Sequence, residues 1–304
     1  MKRFLFLLIL CLLPLIAGAQ NLTVSSFNLR YVNDGDAARG NGWSVRCPWI
    51  CSFIRFEAPD LIGTQELYQS QIEDMEPLLP EYDHVGVGRD DGADAGEHSA
   101  IWYRRDRFKL LRHGDFWLSE TPETPSRGWD AALNRICTWG YFKDKVTHKK
   151  IWMFNLHNDH IGVQARAESA RLVVRRIKEM CRSGEIVFLT GDFNVDQTND
   201  IYQIYTGSGV LADSYVTAPI RYAPNGTINK FDPASRTESR IDHVFVSPRV
   251  KVVSYGVMTE TWRSPGDNAW TTTTSGDFPV EVGFSTWTAR TLSDHFPVIV
   301  KVQL

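Results

Sequence analysis

The 304-residue chain is poor in cysteine, with five in all and none in a CxxC pair. That excludes a thiolate zinc site and a disulfide-built scaffold. It has no excess of either charge, with 33 Lys and Arg against 36 Asp and Glu. A general polyanion-binding surface is therefore not expected, although near-neutrality leaves room for a site that grips one phosphate. There is no internal repeat, low-complexity tract or obvious linker. The single long apolar run, Phe4 to Ile16, falls short of the roughly 20 residues of a spanning helix. Lys2 and Arg3 precede it, and Ala17-Gly18-Ala19 follows it as a small-x-small cleavage pattern. Residues 1–19 are thus expected to be a secretory signal peptide, with residues 20–304 one exported domain without a membrane anchor, periplasmic or secreted.

What the chain does have is an ordinary globular composition, 43% hydrophobic and 23% charged, with 10 Trp. Strands are expected at Leu22 to Asn28, Leu61 to Gln65, His98 to Tyr103, Lys109 to Leu118, Ile136 to Lys143, Ile151 to Leu156 and Glu185 to Thr190. Three more are expected at Ile241 to Ser247, Val250 to Val257 and Phe296 to Val302. Helical spacing marks Arg46 to Phe56, Tyr68 to Leu79 and, most clearly, Ala165 to Met180, where Leu172, Val173, Ile177 and Met180 share one face. Strands that are apolar throughout need cover on both faces. Two packed sheets with helices outside satisfy this, which predicts an α/β sandwich. The polar stretches 31–45, 119–134, 196–240 and 258–292 read as long loops. After the signal peptide four cysteines remain, Cys47, Cys51, Cys137 and Cys181; three pairings are open to them, and buried free thiols are expected.

Polar residues gather at strand ends. Six segments each set a carboxylate, amide or imidazole beside a buried strand: Phe27-Asn28, Gln65-Glu66, Asn155-Leu-His157, Gly191-Asp-Phe-Asn194, Ile241-Asp-His243 and Ser293-Asp-His295. Taken singly, each is an ordinary turn or cap. Groups at the ends of neighbouring strands can also converge on one point. Carboxylate and amide oxygens suit a hard cation such as Mg²⁺. Imidazoles beside it can steady phosphoryl oxygens or move protons.

In this order the six segments resemble the endonuclease/exonuclease/phosphatase superfamily, which includes pancreatic-type deoxyribonuclease, inositol polyphosphate phosphatases and nocturnin-like deadenylases. The match runs from Asn28 to His295. The stretch Asp115 to Pro122 looks most like a secreted bacterial branch. The resemblance implies a four-layer α/β sandwich of two mixed sheets flanked by helices, and a Mg²⁺-dependent phosphohydrolase in which Mn²⁺ can substitute. It implies metal ligands at Glu66, Asn28 and Asp294. Asp192 is implied to position or deprotonate the attacking water, and Asn194 to hold that water or the phosphate. His295 is implied to bind the scissile phosphate or transfer a proton, with Asp242 as its carboxylate partner. His157 matches a second phosphate-contacting histidine, and Glu97 the acid that pairs with it. A tyrosine that apurinic endonucleases carry near the phosphate has no equivalent here. Arg135 either supplies that contact or is a surface loop residue; Asp159 and His160 are expected to cap the following loop.

Three functions are compatible with this set. One is an exported phosphodiesterase or phosphatase acting on a small phosphorylated substrate. Another is a secreted nuclease, disfavoured because no basic tract runs along any element. The third is an inert binding module, disfavoured because Glu66, Asp192, Asp242, Asp294 and His295 are intact. Arg127, Arg221, Arg236 and Arg240, with Trp43, Trp129, Trp262 and Trp270, are either substrate contacts or loop anchors. No protein partner is evident.

Overall fold

A computed structural model describes residues 21–265 and 287–304, so the expected signal peptide and Trp270 lie outside the described residues. In chain order, β1 (Asn21–Asn28) leads through α1 (Asp34–Ala38) and α2 (Trp43–Glu57) to β2 (Leu61–Gln65). Helix α3 (Gln69–Met75) precedes β3 (Tyr82–Val85), β4 (Ile101–Arg104), β5 (Phe108–Trp117), β6 (Ile136–Asp144) and β7 (Lys150–His157). Helix α4 (Val163–Met180) leads to β8 (Ile186–Asp192), and α5 (Asp200–Thr206) to β9 (Ala212–Asp213). After α6 (Ser214–Thr217) come β10 (Ile220–Tyr222), β11 (Asp242–Val246) and β12 (Lys251–Val257). The last strands are β13 (Thr261–Pro265), β14 (Trp287–Thr291) and β15 (Val298–Gln303).

Seven strands form one sheet in the order β10-β12-β15-β1-β2-β4-β3, and six form a second, β5-β6-β7-β8-β11-β9. Both are mixed. Strand β1 is parallel to β2 and antiparallel to β15; β7 is parallel to β8, which is antiparallel to β11. Apolar runs such as Ile151 to Phe154 are buried on both faces, and three apolar layers show how. Val24, Leu61 and Val300 of one sheet meet Met153, Phe188 and Val244 of the other. Leu172, Val173 and Ile177 of α4 cover Trp152, Phe154 and Leu189. Ile50 and Ile54 of α2, with Ile72 of α3, cover Phe27, Ile62 and Trp102. The result is the expected helix–sheet–sheet–helix sandwich.

The sheets touch through a polar junction beneath the strand ends. Asn155 is fully buried; its amide nitrogen donates to the Thr64 and Ala100 carbonyls at 2.8 and 3.0 Å. Its oxygen accepts from Gln65 Nε2 and Thr190 Oγ1 at 2.7 and 3.0 Å. Gly63 makes this approach possible. A Cβ there would lie 2.1 Å from Thr190 Oγ1 and 2.4 Å from Asn155 Oδ1.

Several boundaries differ from the sequence expectation. The second helix stops at Met75, and Pro77 leaves a 3₁₀ turn at Glu76–Leu78. The stretch 196–240 holds α5, β9, α6 and β10, none longer than seven residues, too short to show a period. Segment 31–45 holds α1 and the start of α2, and 258–292 holds β13 and β14 at its ends. The four cysteines are free; Cys47, Cys51 and Cys137 are buried, while Cys181 is half-buried.

Candidate active site

Strand direction brings the six segments together. The parallel pairs β1–β2 and β7–β8 end at one edge of the sandwich, and the antiparallel β11 and β15 begin there. Asn28 is in register with Gln65, and Asp192 lies between His157 and Asp242 on its two neighbouring strands. Two loops are pinned beside this edge by Arg46, a buried residue of α2. Its guanidinium donates to the carbonyls of Leu29 at 2.8 Å, Leu292 at 3.0 Å, Arg30 at 3.2 Å and Asn41 at 2.8 Å. One side chain thus ties the loop after Asn28 to the loop before Asp294.

Asp192 is the hub. Its Oδ1 accepts from the Asn194 amide at 3.0 Å, and its Oδ2 from Asn28 Nδ2 at 3.0 Å. The Nε2 atoms of His157 and His295 approach that same Oδ2 to 3.6 and 3.8 Å. Burial pushes the Asp192 carboxyl up to about 7, and the neighbouring Asp242 adds to the shift against the pull of His295. Burial opposes charge on His295, yet Asp242, bonded to its Nδ1 at 2.8 Å, outweighs it together with Asp192 and holds the imidazole cationic above the ordinary histidine range. His157 is the opposite case. Burial, then Arg135 and Arg89, drive its pKa well below the ordinary value. It is therefore neutral, and its approach to Asp192 is a polar contact rather than an ion pair.

Carboxylate and imidazole atoms here fit a divalent cation. Glu66, His157 and Asp192 each offer a ligand atom within 4.8 Å of the others, as do Asp192, Asp242 and His295. The Oδ1 of Asp242 is buried without a hydrogen-bond partner.

The model of the Endonuclease/Exonuclease/phosphatase family matches residues 43–295. The chain belongs to this family. Among solved structures, a mannosyl-6-phosphatase of Bacteroides thetaiotaomicron is 52% identical, with 93% of this chain and 100% of that chain covered and a TM-score of 0.86. A family protein of Bacteroides vulgatus is 36% identical, with 94% and 99% covered and a TM-score of 0.78. An uncharacterized protein of Acanthamoeba polyphaga mimivirus is 36% identical over 163 residues. That match takes in 51% of this chain and spans 60% of the viral protein's length. Members of the endonuclease/exonuclease/phosphatase family are metal-dependent hydrolases of phosphoesters, and this chain is a hydrolase of that class.

Within this family member, several expected residues stand differently from their sequence reading. Asn28 offers its amide nitrogen to Glu66 Oε1 at 2.9 Å as well as to Asp192, while its oxygen accepts from the Arg30 amide at 3.0 Å. Its nitrogen thus holds two carboxylates in place. Asp294 Oδ2 lies 3.6 Å from Arg30 Nη1 and outside the two ligand clusters. Glu97 is taken up by a bidentate pair with Arg89 at 2.7 and 2.8 Å, leaving His157 Nδ1 3.7 Å away and unbonded. Asn194 donates to the Asn158 carbonyl at 3.0 Å. Arg135 is not on the surface. It is 3% exposed, held by Asp159 at 3.3 Å and His160 at 3.0 Å, and its Nη1 has no partner. Asp159 does cap the next loop, accepting from the amides of Ile161 and Gly162. His243 points away from the site, to the Val195 carbonyl and the Phe193 ring.

Arg240 is buried against Asp213, Arg221 bonds the Tyr215 and Val216 carbonyls, and Trp43 and Trp262 are buried, so these act as anchors. Sequence reading missed Arg30 and Arg89. The signal for Arg89 was the run of glycines at 88, 92 and 96, which turns the chain so that Arg89 meets Glu97.

Replacing Asp242 by Asn should move the alkaline limb of the kcat/KM profile to lower pH. His295 keeps its proton because a carboxylate faces Nδ1; without that charge the proton leaves at lower pH. A shift of about one unit or more is expected on removing a buried partner charge. An unmoved limb would remove His295 as the group responsible.

Proposed function

We propose that the chain is an exported, Mg²⁺-dependent phosphatase that removes a phosphate monoester from a small phosphorylated sugar. One observation carries the substrate class: 52% identity across 93% of this chain to a protein described as a mannosyl-6-phosphatase. The site geometry supports the chemistry. Glu66 would hold the cation, with the carboxylate of Asp192 in reach, and Mn²⁺ would serve in its place. When bound, the ion would neutralise charge on the phosphoryl oxygens.

The chain's own groups account for the rest. Asp192 accepts the proton of a water directed in line at phosphorus. Asn28 and the Asn194 amide fix its two oxygens, so the base does not rotate. His295, cationic through Asp242, gives its Nε2 proton to the departing sugar oxygen as the P–O bond breaks. His157, neutral, and Arg135, with a free buried Nη1, bind phosphoryl oxygens. The products are inorganic phosphate and the sugar hydroxyl. The sequence pattern of residues 1–19 supports delivery to the periplasm or beyond, with residues 20–304 as the catalytic domain.

The test compares mannose 6-phosphate, p-nitrophenyl phosphate and bis-p-nitrophenyl phosphate with Mg²⁺, Mn²⁺ or EDTA. Both monoesters should turn over at least roughly tenfold faster than the diester, since a discrimination of ~1.4 kcal/mol suffices for that ratio. EDTA should abolish all turnover. Preference for the diester would overturn the phosphatase reading, and undiminished activity in EDTA would overturn the metal.

A further inference from the structure

The loop that follows β7 carries a histidine that the reaction above does not use. Residues 158–160 continue directly from His157, and the loop is held on both sides of His160. Asn158 donates to the Phe193 carbonyl at 3.2 Å. Asp159 is 1% exposed, and its carboxylate accepts from the amides of Ala132 and Leu133 in one loop and of Ile161 and Gly162 in the other. The loop before β6 and the loop after β7 are thereby tied to each other. His160 lies between two bonded residues and is itself exposed. Its imidazole is placed before a substrate arrives, so little ordering entropy is lost when it makes a contact.

Arg135 fixes the chemistry of that ring. Its Nη2 lies 3.0 Å from His160 Nδ1. A guanidinium can only donate, so Nδ1 accepts through its lone pair and the ring proton sits on Nε2. Nδ1 is the ring atom that is bonded; Nε2 makes no hydrogen bond among the described residues. The same arginine reaches from the interior to the rim. Its Nη1 is buried without a partner, and after burial Arg135 is the strongest influence holding down the His157 pKa. A phosphoryl group taken by His157 and Nη1 therefore sits on the buried side of the guanidinium, with His160 on the exposed side. Inward lies the filled junction around Asn155, so the rest of the substrate extends outward, past His160.

We propose that His160 is a specificity residue, whose Nε2–H donates to a hydroxyl of the substrate's sugar while Arg135, braced by the same imidazole, holds the phosphoryl group. The inference rests on the sugar-phosphatase reading above and names the side chain that reads the sugar. The phosphoryl group is common to every monoester, so contacts to it cannot tell one leaving group from another. A placed donor beside it can, because a leaving group without the matching hydroxyl forfeits the bond. The donor is exposed and hydrated when free, so its worth is that of an ordinary neutral hydrogen bond.

Steady-state kinetics with mannose 6-phosphate and p-nitrophenyl phosphate, with inorganic phosphate as competing inhibitor, tests this beside His160→Asn and His160→Phe. Asn can still accept from Arg135 but is too short to reach where Nε2 stood. Phe keeps the ring and removes both contacts. In His160→Asn the ratio of kcat/KM for the sugar phosphate to that for the p-nitrophenyl ester should fall roughly 3- to 10-fold, the worth of one neutral hydrogen bond, with the loss in KM. His160→Phe should show the same fall and also weaker inhibition by phosphate, because Arg135 loses its brace. The altered side chain is exposed, so both variants should fold, and the Asn variant carries the test if Phe does not. An unchanged ratio in the variants, with or without weaker phosphate inhibition, overturns the sugar contact. Wild-type turnover of mannose 6-phosphate alongside that result leaves the phosphatase standing. A wild type that turns over p-nitrophenyl phosphate but not mannose 6-phosphate overturns the sugar reading and this inference together.

Discussion

Asp192→Ala and His295→Ala are each expected to lower kcat for the monoester by about 10³-fold or more, with a much smaller change in KM. General acid and base groups typically contribute 10²–10⁴-fold each, and Asp192 also organises its neighbours. The expectation follows from its position. Asn28 and the Asn194 amide bond its two oxygens, and His157 and His295 both aim Nε2 at it. Removing it leaves His295 with Asp242 and Asp294 as the carboxylates that favour its charge. Because the two residues serve one proton relay, the double variant should be little worse than the poorer single one. Steady-state kinetics with Mg²⁺ would measure this. Retention of more than a tenth of wild-type kcat in either single variant would remove that residue from its assigned step.

Asn155→Ala should give the largest loss of stability, on the order of 3–5 kcal/mol, since breaking a buried hydrogen-bond network is among the few changes that cost this much. The side chain is fully buried between the sheets. Its loss would take one bond each from the Thr64 and Ala100 carbonyls, Gln65 Nε2 and Thr190 Oγ1, although Ala100 keeps the Thr64 amide and Thr190 the Phe154 carbonyl. Water can replace those bonds only by opening the sandwich directly under the site. Urea denaturation at pH 7 would read the change as a lower midpoint. Activity at saturating metal should fall as well, because Gln65 and Thr190 lie on the strands that carry Glu66 and Asp192. A midpoint within the scatter of the wild type would show that the junction does not hold the sheets together.

The alternation of β1, the continuous apolar run of β7 and the one-sided face of α4 were legible because burial imposes a period, or its absence, over seven or more residues. The short elements between residues 196 and 240 were not, since two to seven residues cannot display one. The site motifs were legible for a related reason. Each is local, a polar group set against an apolar strand, and parallel and antiparallel pairing delivers them to one edge. What each polar group does there was not local. The sequence by itself determined the sandwich, the set of strand-end residues and the phosphoester chemistry they suit. Only the tertiary structure decided that Asn28 holds carboxylates through its nitrogen, that Glu97 serves Arg89 before His157, and that Arg135 is buried. The same holds for the charge states, cationic for His295 and neutral for His157. Two histidines at the ends of buried strands are alike as sequence. They differ because Asp242 faces one from the opposite sheet, while Arg135 and Arg89 crowd the other, and those distances exist only once the two sheets have closed.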